Sequence, residues 1–244
     1  MPVSWRSFVV PATGLAIWEL ATGLRLVDLE FISRPSRILI AWISGLADGS
    51  FLYATWQTLE AALFGIAIAL VVGVLLGIFL GLSKFAELIS RPSLEGLRSI
   101  PSIAFAPLSL LLFGFGLPME GLIVAYACLW PILITTISAV RNIEPRLIEI
   151  ASALEMSPVQ RVVKIIIPAV LSRVLVGLRT AAGFALVVAV TVEILINPRG
   201  LGYGLIIAQQ SLQLDVMYAY LLWLALLGLC VNALVGLADR EIAA

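Results

Sequence analysis

The sequence predicts an all-α integral membrane protein, one domain over residues 1–244 with six membrane-crossing helices, and three observations carry that prediction. Hydrophobic residues make up 61% of the chain and charged residues 12%, with a mean hydropathy of +1.11. An ordinary soluble domain carries about a quarter charged residues. Apolar runs long enough to cross a bilayer recur between turn signals, and the chain has room for about five to seven spans of ~20 residues with no soluble domain beside them. The third observation is a single polar insert, residues 141–173, that interrupts the apolar runs.

The spans are expected at 8–26, 55–82, 94–113, 121–140, 174–196 and 218–237. The first contains Glu19 and is followed by Arg25; it reads as a retained span, with a secretory signal peptide as the alternative. Residues 36–46 carry aliphatic side chains and Trp42 at helical spacing and are expected to lie along the membrane interface. In the second span Ala61, Gly65, Ala69, Gly73, Gly77 and Gly81 recur every fourth residue, a stripe that lets another helix approach closely, within the chain or in a second subunit. Pro101 and Pro107 break the third span and leave backbone groups near Ser99–Ser102 without helical partners.

Lys84 and Arg91 follow span two, and Arg141, Arg146, Arg161, Lys164 and Arg173 fill the insert after span four. The positive-inside rule places these loops in the cytoplasm, and with them both termini. Segments 28–50 and 197–215 then face the other side, although they carry Arg34, Arg37 and Arg199.

Inside the insert, Pro145 suits a first helical turn and opens a short amphipathic helix. Ser157-Pro158-Val159-Gln160 reads as a new helix start with serine as N-cap and glutamine completing a capping box. Met156 and Ser157 sit at the elbow between them. In the second helix Val159, Val162, Val163 and Ile166 share a face, and Pro168 ends it. From these residues alone the insert is either a solvated loop with two interfacial helices or a handle for a partner.

Several function classes fall away. Net charge is zero and basic runs are absent, which argues against nucleic acid. There is no histidine, and the two cysteines, Cys128 and Cys230, lie in apolar runs, so His-based catalysis, a zinc site and a disulfide framework are not expected. A secondary transporter or channel is the main competitor; it would show paired intramembrane charges or inverted repeats, and neither is evident.

The insert resembles the EAA loop of ABC-importer permeases. Glu149, Ala151 and Pro168 stand at that loop's spacing, while Ile150, Glu155 and Ile167 replace its alanine, glycine and leucine. Ser33-Arg34-Pro35-Ser36, Thr58-Leu59-Glu60, Gly73 through Gly81-Leu82-Ser83, Leu97-Arg98 with Pro101 and Pro107, and Glu193 followed by Gly200-Leu201-Gly202-Tyr203 are similar to the nitrate/sulfonate/taurine/bicarbonate branch. The resemblance covers nearly the whole chain.

It implies a type I importer permease with a cytoplasmic coupling helix between spans four and five. Two copies, a homodimer by resemblance, would form the pore in the cytoplasmic (inner) membrane, two ABC ATPase subunits would each accept one coupling helix, and a periplasmic or lipid-anchored binding protein would deliver the substrate. The cargo class would be a small anion: sulfonate, taurine, nitrate, bicarbonate or aromatic carboxylate. The chain has no Gly-x4-Gly-Lys-Ser/Thr loop, so no cofactor is expected in it; ATP and Mg would be bound by the partner ATPase.

The residues expected to couple to the ATPase are Glu149, Ala151, Glu155, Met156, Ser157 and Pro158, with Arg161 as an ion-pair partner. Glu149 equally suits a helix first turn as a dipole-favoured acid. If the elbow needs positive φ at the glycine position, Glu155 costs on the order of 1 kcal/mol, and the turn would fall to Met156 and Ser157 instead. For the pathway and its gate the candidates are Arg98, Ser99, Pro101, Ser102, Phe105 and Glu193. Arg98 and Arg179, expected near the inner span ends, either attract an anion or snorkel to lipid headgroups. Glu193 is either a gate element or a structural hydrogen-bond anchor, and Trp130 and Phe105 are simplest as packing residues.

Overall fold

Long apolar runs without water-accessible partners for their backbone must fold as helices, and every regular element of the computed structural model, which describes residues 6–24 and 32–242, is helical. In order these are α1 (Arg6–Gly23), α2 (Pro35–Ala47), α3 (Ser50–Leu82), α4 (Lys84–Arg98), a 3-10 turn (Ser102–Phe105) and α5 (Ala106–Phe113). Then follow α6 (Leu117–Arg141), α7 (Pro145–Ala153), α8 (Pro158–Arg161), a π turn (Val162–Ile166), α9 (Ile167–Leu195), α10 (Gly200–Gln210) and α11 (Leu214–Ile242).

The core is a three-helix unit of α3, α6 and α9. The small-residue stripe on α3 faces α6 along its whole length: Gly65 meets Val124, Gly73 meets Ile132, Gly77 meets Thr136 and Gly81 meets Val140. A Cβ on Gly77 would stand 2.5 Å from the Thr136 Cβ, so α3 and α6 run parallel at a separation only glycine permits. Ala181, Ala185 and Ala189 of α9 pack antiparallel against Val124, Cys128 and Ile132. The stripe therefore serves packing inside the chain.

Four described helical stretches are long and apolar enough to cross a membrane: Ser50–Leu82, Leu117–Arg141, Pro158–Gln210 and Leu214–Gly236. A fifth crossing is the pair Lys84–Arg98 and Ser102–Phe113, bent by 83°, where Pro101 and Pro107 were expected to break the third span. Six spans are reached only by adding α1, whose 18 residues do not join those candidates. Large side chains such as Leu63, Leu75, Val187 and Leu229 stand exposed on the outer helix faces, which suits lipid rather than water.

Two expectations are corrected. Lys84–Arg91 is helix, not loop: the Ser83 hydroxyl accepts the Ala86 N–H at 3.2 Å and caps α4, and Glu87 sits in the first turn where the dipole favours an acid. Pro168 does not end a helix. The π turn at Val162–Ile166 runs into α9 without a break, and its widened ring accommodates the proline's missing N–H and its clash with the carbonyl four residues back.

Candidate functional site

Three polar features interrupt the apolar scaffold. The first is the insert. Helix α7 starts with Pro145 at N1 and ends in a reverse turn in which the Met156 N–H donates to the Ala151 carbonyl at 3.0 Å and the Glu155 N–H to that of Ser152 at 3.1 Å. This is the Schellman pattern, and it demands a left-handed residue at Glu155, whose φ is 50°. The turn is thus carried by Glu155 itself, correcting the expectation that Met156 and Ser157 take it over. The two bonds hold Glu155 there against its Cβ strain.

Ser157 then caps α8 in a full capping box with Gln160, and Pro158 occupies its first turn. Arg161 donates from Nη2 to the Ser152 hydroxyl at 3.2 Å; it ties the two helices to each other and meets neither Glu149 nor Glu155 in an ion pair among the described residues. Ala151 is fully buried beneath the elbow. Glu149 is exposed, and so are Ile150, Leu154, Val159 and Val163, a cluster of apolar side chains around the turn. Val159 and Val163 therefore do not share the buried face of Ile166, because the π turn rotates them outward.

The second feature is a pair of cavities along the bent crossing. Helix α4 rises beside α6: Glu87 pairs with Arg141 at the insert end, and the Tyr126 hydroxyl donates to the Leu97 carbonyl further up. A cavity of about 380 Å³ lies between them, and a second of about 440 Å³ opens between the proline break, α6 and α9. Arg98 lines both, while Pro101 and Ser102 line the second. Ser99 turns back, its hydroxyl donating to the Gly96 carbonyl at 2.7 Å. The Ser99 and Ile100 N–H groups bond to carbonyls of α4, so the break leaves fewer free amides there than its prolines suggest. Phe105 packs on Tyr126, ring centroids 4.5 Å apart, and lines neither cavity.

The third feature lies at the end remote from the insert. Arg199, the N-cap of α10, provides no side-chain cap, so the first N–H groups of that helix need partners from elsewhere. They find them across the fold: Gly200 donates to Gln57 at 3.0 Å, Leu201 to the Thr58 hydroxyl at 3.0 Å and Gly202 to the Glu193 carboxylate at 2.8 Å. Asn197 bridges onward, donating to Glu120 and accepting the Gly116 N–H at 3.0 Å. Arg199 reaches Glu60 at 3.4 Å. Glu120, Glu193 and Asn197 are buried. Glu193 is thus held in a helix-capping cluster, away from both cavities.

The matching family model, over residues 69–244, is that of the binding-protein-dependent transport system inner membrane component. The chain belongs to this family. Similar members of the family include a putative aliphatic sulfonates transport permease protein, SsuC, of Bacillus subtilis, 30% identical with 97% of this chain and 86% of the relative covered. The taurine transport system permease protein TauC of Escherichia coli is 30% identical over 84% of this chain and 76% of its own length. The bicarbonate transport system permease protein CmpB of Synechococcus elongatus is 30% identical over 98% and 92%. The inner-membrane component also shares its fold with a chain of the inward-facing MetNI methionine ABC transporter, at a TM-score of 0.67 and 20% identity, covering 79% of this chain and 95% of that one. Its membership in the sulfonate, taurine, nitrate and bicarbonate branch follows from these relatives.

In this family member the sequence motifs Thr58-Leu59-Glu60 and Glu193 with Gly200-Leu201-Gly202 are two halves of one cluster. Glu120, Asn197, Arg199 and Gln57 complete it and were not singled out as a site. The available signal was Glu120 and Asn197 as polar residues at the edges of apolar runs.

Proposed function

We propose that this chain is the membrane-spanning pore subunit of an ATP-driven, binding-protein-dependent importer of a small anion. The observation that carries the reading is the elbow at Glu155–Ser157, a rigid turn with double backbone bonds and a capping box, ringed by exposed Ile150, Leu154 and Val159. A preorganised apolar knob on the basic, insert side of a membrane protein is what a cleft on an ATPase can grip. Ala151 sets the floor of that knob, and Glu149, Met156 and Pro158 complete its contact surface. On this reading the insert faces the cytoplasm, two ATPase subunits hold ATP and Mg, and a second copy of the chain completes the pore. Arg98, Pro101 and Ser102 lie along the path; the far-end cluster around Glu193 braces the corner on which a binding protein would dock.

The sulfonate, taurine and bicarbonate systems of the relatives support a small anion as the cargo. Reconstitution in proteoliposomes with the ATPase and the binding protein tests the reading. Uptake that requires both ATP and binding protein is expected. Uptake driven by an ion gradient with no ATPase present would replace it with a secondary transporter.

A further inference from the structure

Helix α4 is held differently from the three helices of the core. Its 15 residues are all described, and none of them is buried. It begins one residue after α3, at Ser83 in extended backbone, and ends at the break of Ser99 to Pro101. Between these two non-helical joints its backbone leans on α3 and stands off from α6 across the cavity of about 380 Å³. Ala86 and Leu94 reach the cluster of Leu80, Trp130 and Leu133, while Phe85, Leu88 and Ile89 stand exposed.

Polar ties at its two ends complete the attachment. Beside the break, the Tyr126 hydroxyl donates to the Leu97 carbonyl. About 15 Å away along the helix, Glu87 pairs with Arg141, and both line the cavity. Arg91 is engaged with Glu95, so Glu87 is the carboxylate that Arg141 meets among the described residues. Arg141 is the last residue of α6, and the first helix of the insert starts four residues on at Pro145. The end of α6 cannot yield there, because Val140 is wedged against Gly81 of α3 in close packing. Movement at the insert end therefore meets one loosely held helix and one ion pair restraining it.

We infer that α4 is a swinging wall, latched by Glu87 and Arg141, whose release opens the cavity headed by Arg98 toward the insert side. This rests on the importer reading and assigns the residues that gate its path. Rotation of α4 about Ser83 and the break disturbs no buried packing of that helix. The latch is also cheap to open: its side chains are 36% and 20% exposed, and a pair so open to solvent adds little stability. A packed core with two discrete arrangements of one attached element is how coupling travels between distant sites. Each charge also has a local reason to be present, Glu87 in the first turn of α4 and Arg141 in the last turn of α6, where the helix dipoles favour them. Exchanging the two charges separates the readings, since it restores the pair and opposes both dipoles.

The test places a nitroxide at Ser138, which lines the cavity three residues before Arg141, as Ser138→Cys in a Cys230→Ser background, with Cys128 buried. Its spectrum is recorded in the permease–ATPase complex in nanodiscs, nucleotide-free and trapped with Mg-ATP and vanadate. The mobile fraction of the label is expected to differ at least about threefold between the two states. Glu87→Gln and Arg141→Gln are each expected to leave the label mobile in both states, and the Glu87→Arg, Arg141→Glu exchange to regain the difference. Identical spectra in the two states of the otherwise wild-type complex would overturn the inference, and that comparison stands even if the charge variants fail to fold. So would a Glu87→Gln complex that switches as fully as wild type, or an exchange variant as unresponsive as the single ones, which would leave the two charges to their helix dipoles. Failure of the importer reading shows separately, as a permease with which no ATPase copurifies.

Discussion

The Glu193 carboxylate fills the space that a side chain on Gly200 would need. Gly200 has φ of 83° and Gly202, two residues on, donates its N–H to the same carboxylate at 2.8 Å. Any Cβ at Gly200 meets both a strained backbone and a buried acid. Gly200→Ala is expected to destabilise the permease by about 2 kcal/mol or more, read as a drop of several degrees in the melting temperature of the detergent-solubilised protein. An unchanged melting temperature would mean that α10 is not anchored here.

The far-end cluster should not respond uniformly. Asn197 is buried and joins Glu120 to the Gly116 N–H, so Asn197→Ala strands two buried groups and should cost about 2–3 kcal/mol. Glu60 and Arg199 are each about one-third exposed, 35% and 35%, and Glu60→Gln should cost under about 1 kcal/mol. Comparative thermal unfolding of the two variants checks the order.

On α3 the close approach to α6 predicts a graded effect. Gly77→Ala must push Thr136 aside from 2.5 Å, and Gly77→Val should prevent the parallel packing altogether. Yield of monodisperse protein should fall from wild type through alanine to valine. Equal recovery of all three would contradict the packing.

Much of this arrangement was readable from residue order alone. The glycine stripe, the proline break and the capping box at Ser157 are local patterns with one geometric solution, and each is found in place. What was not readable depended on long-range partners. Gln57 and Thr58 lie more than 140 residues from the N–H groups they cap, and nothing local marks the pairing. Arg98 reaches the junction of the two cavities because α4 rises along α6, which Ser83 begins by capping a segment that charge alone presents as a loop. At the elbow the strain of positive φ at Glu155 is real, but two backbone bonds, invisible to residue order, outweigh it.

That balance yields a prediction of its own. Glu155→Gly relieves the Cβ strain while keeping both bonds, and should stabilise the elbow by about 1 kcal/mol; Glu155→Val should lose about as much or more. Hydrogen exchange of the Met156 and Glu155 amides reads the change locally, with slower exchange expected in the glycine variant and faster in the valine variant.

On the proposed reading, the elbow transmits ATP hydrolysis to the pore. Its most direct test is the ATPase rate of the reconstituted complex, with and without substrate-loaded binding protein, in wild type and in Met156→Arg. Wild-type permease is expected to copurify with the ATPase, whose rate the loaded binding protein raises, and a charged Met156→Arg elbow is expected to abolish that stimulation. Wild-type stimulation in the Met156→Arg complex would contradict it.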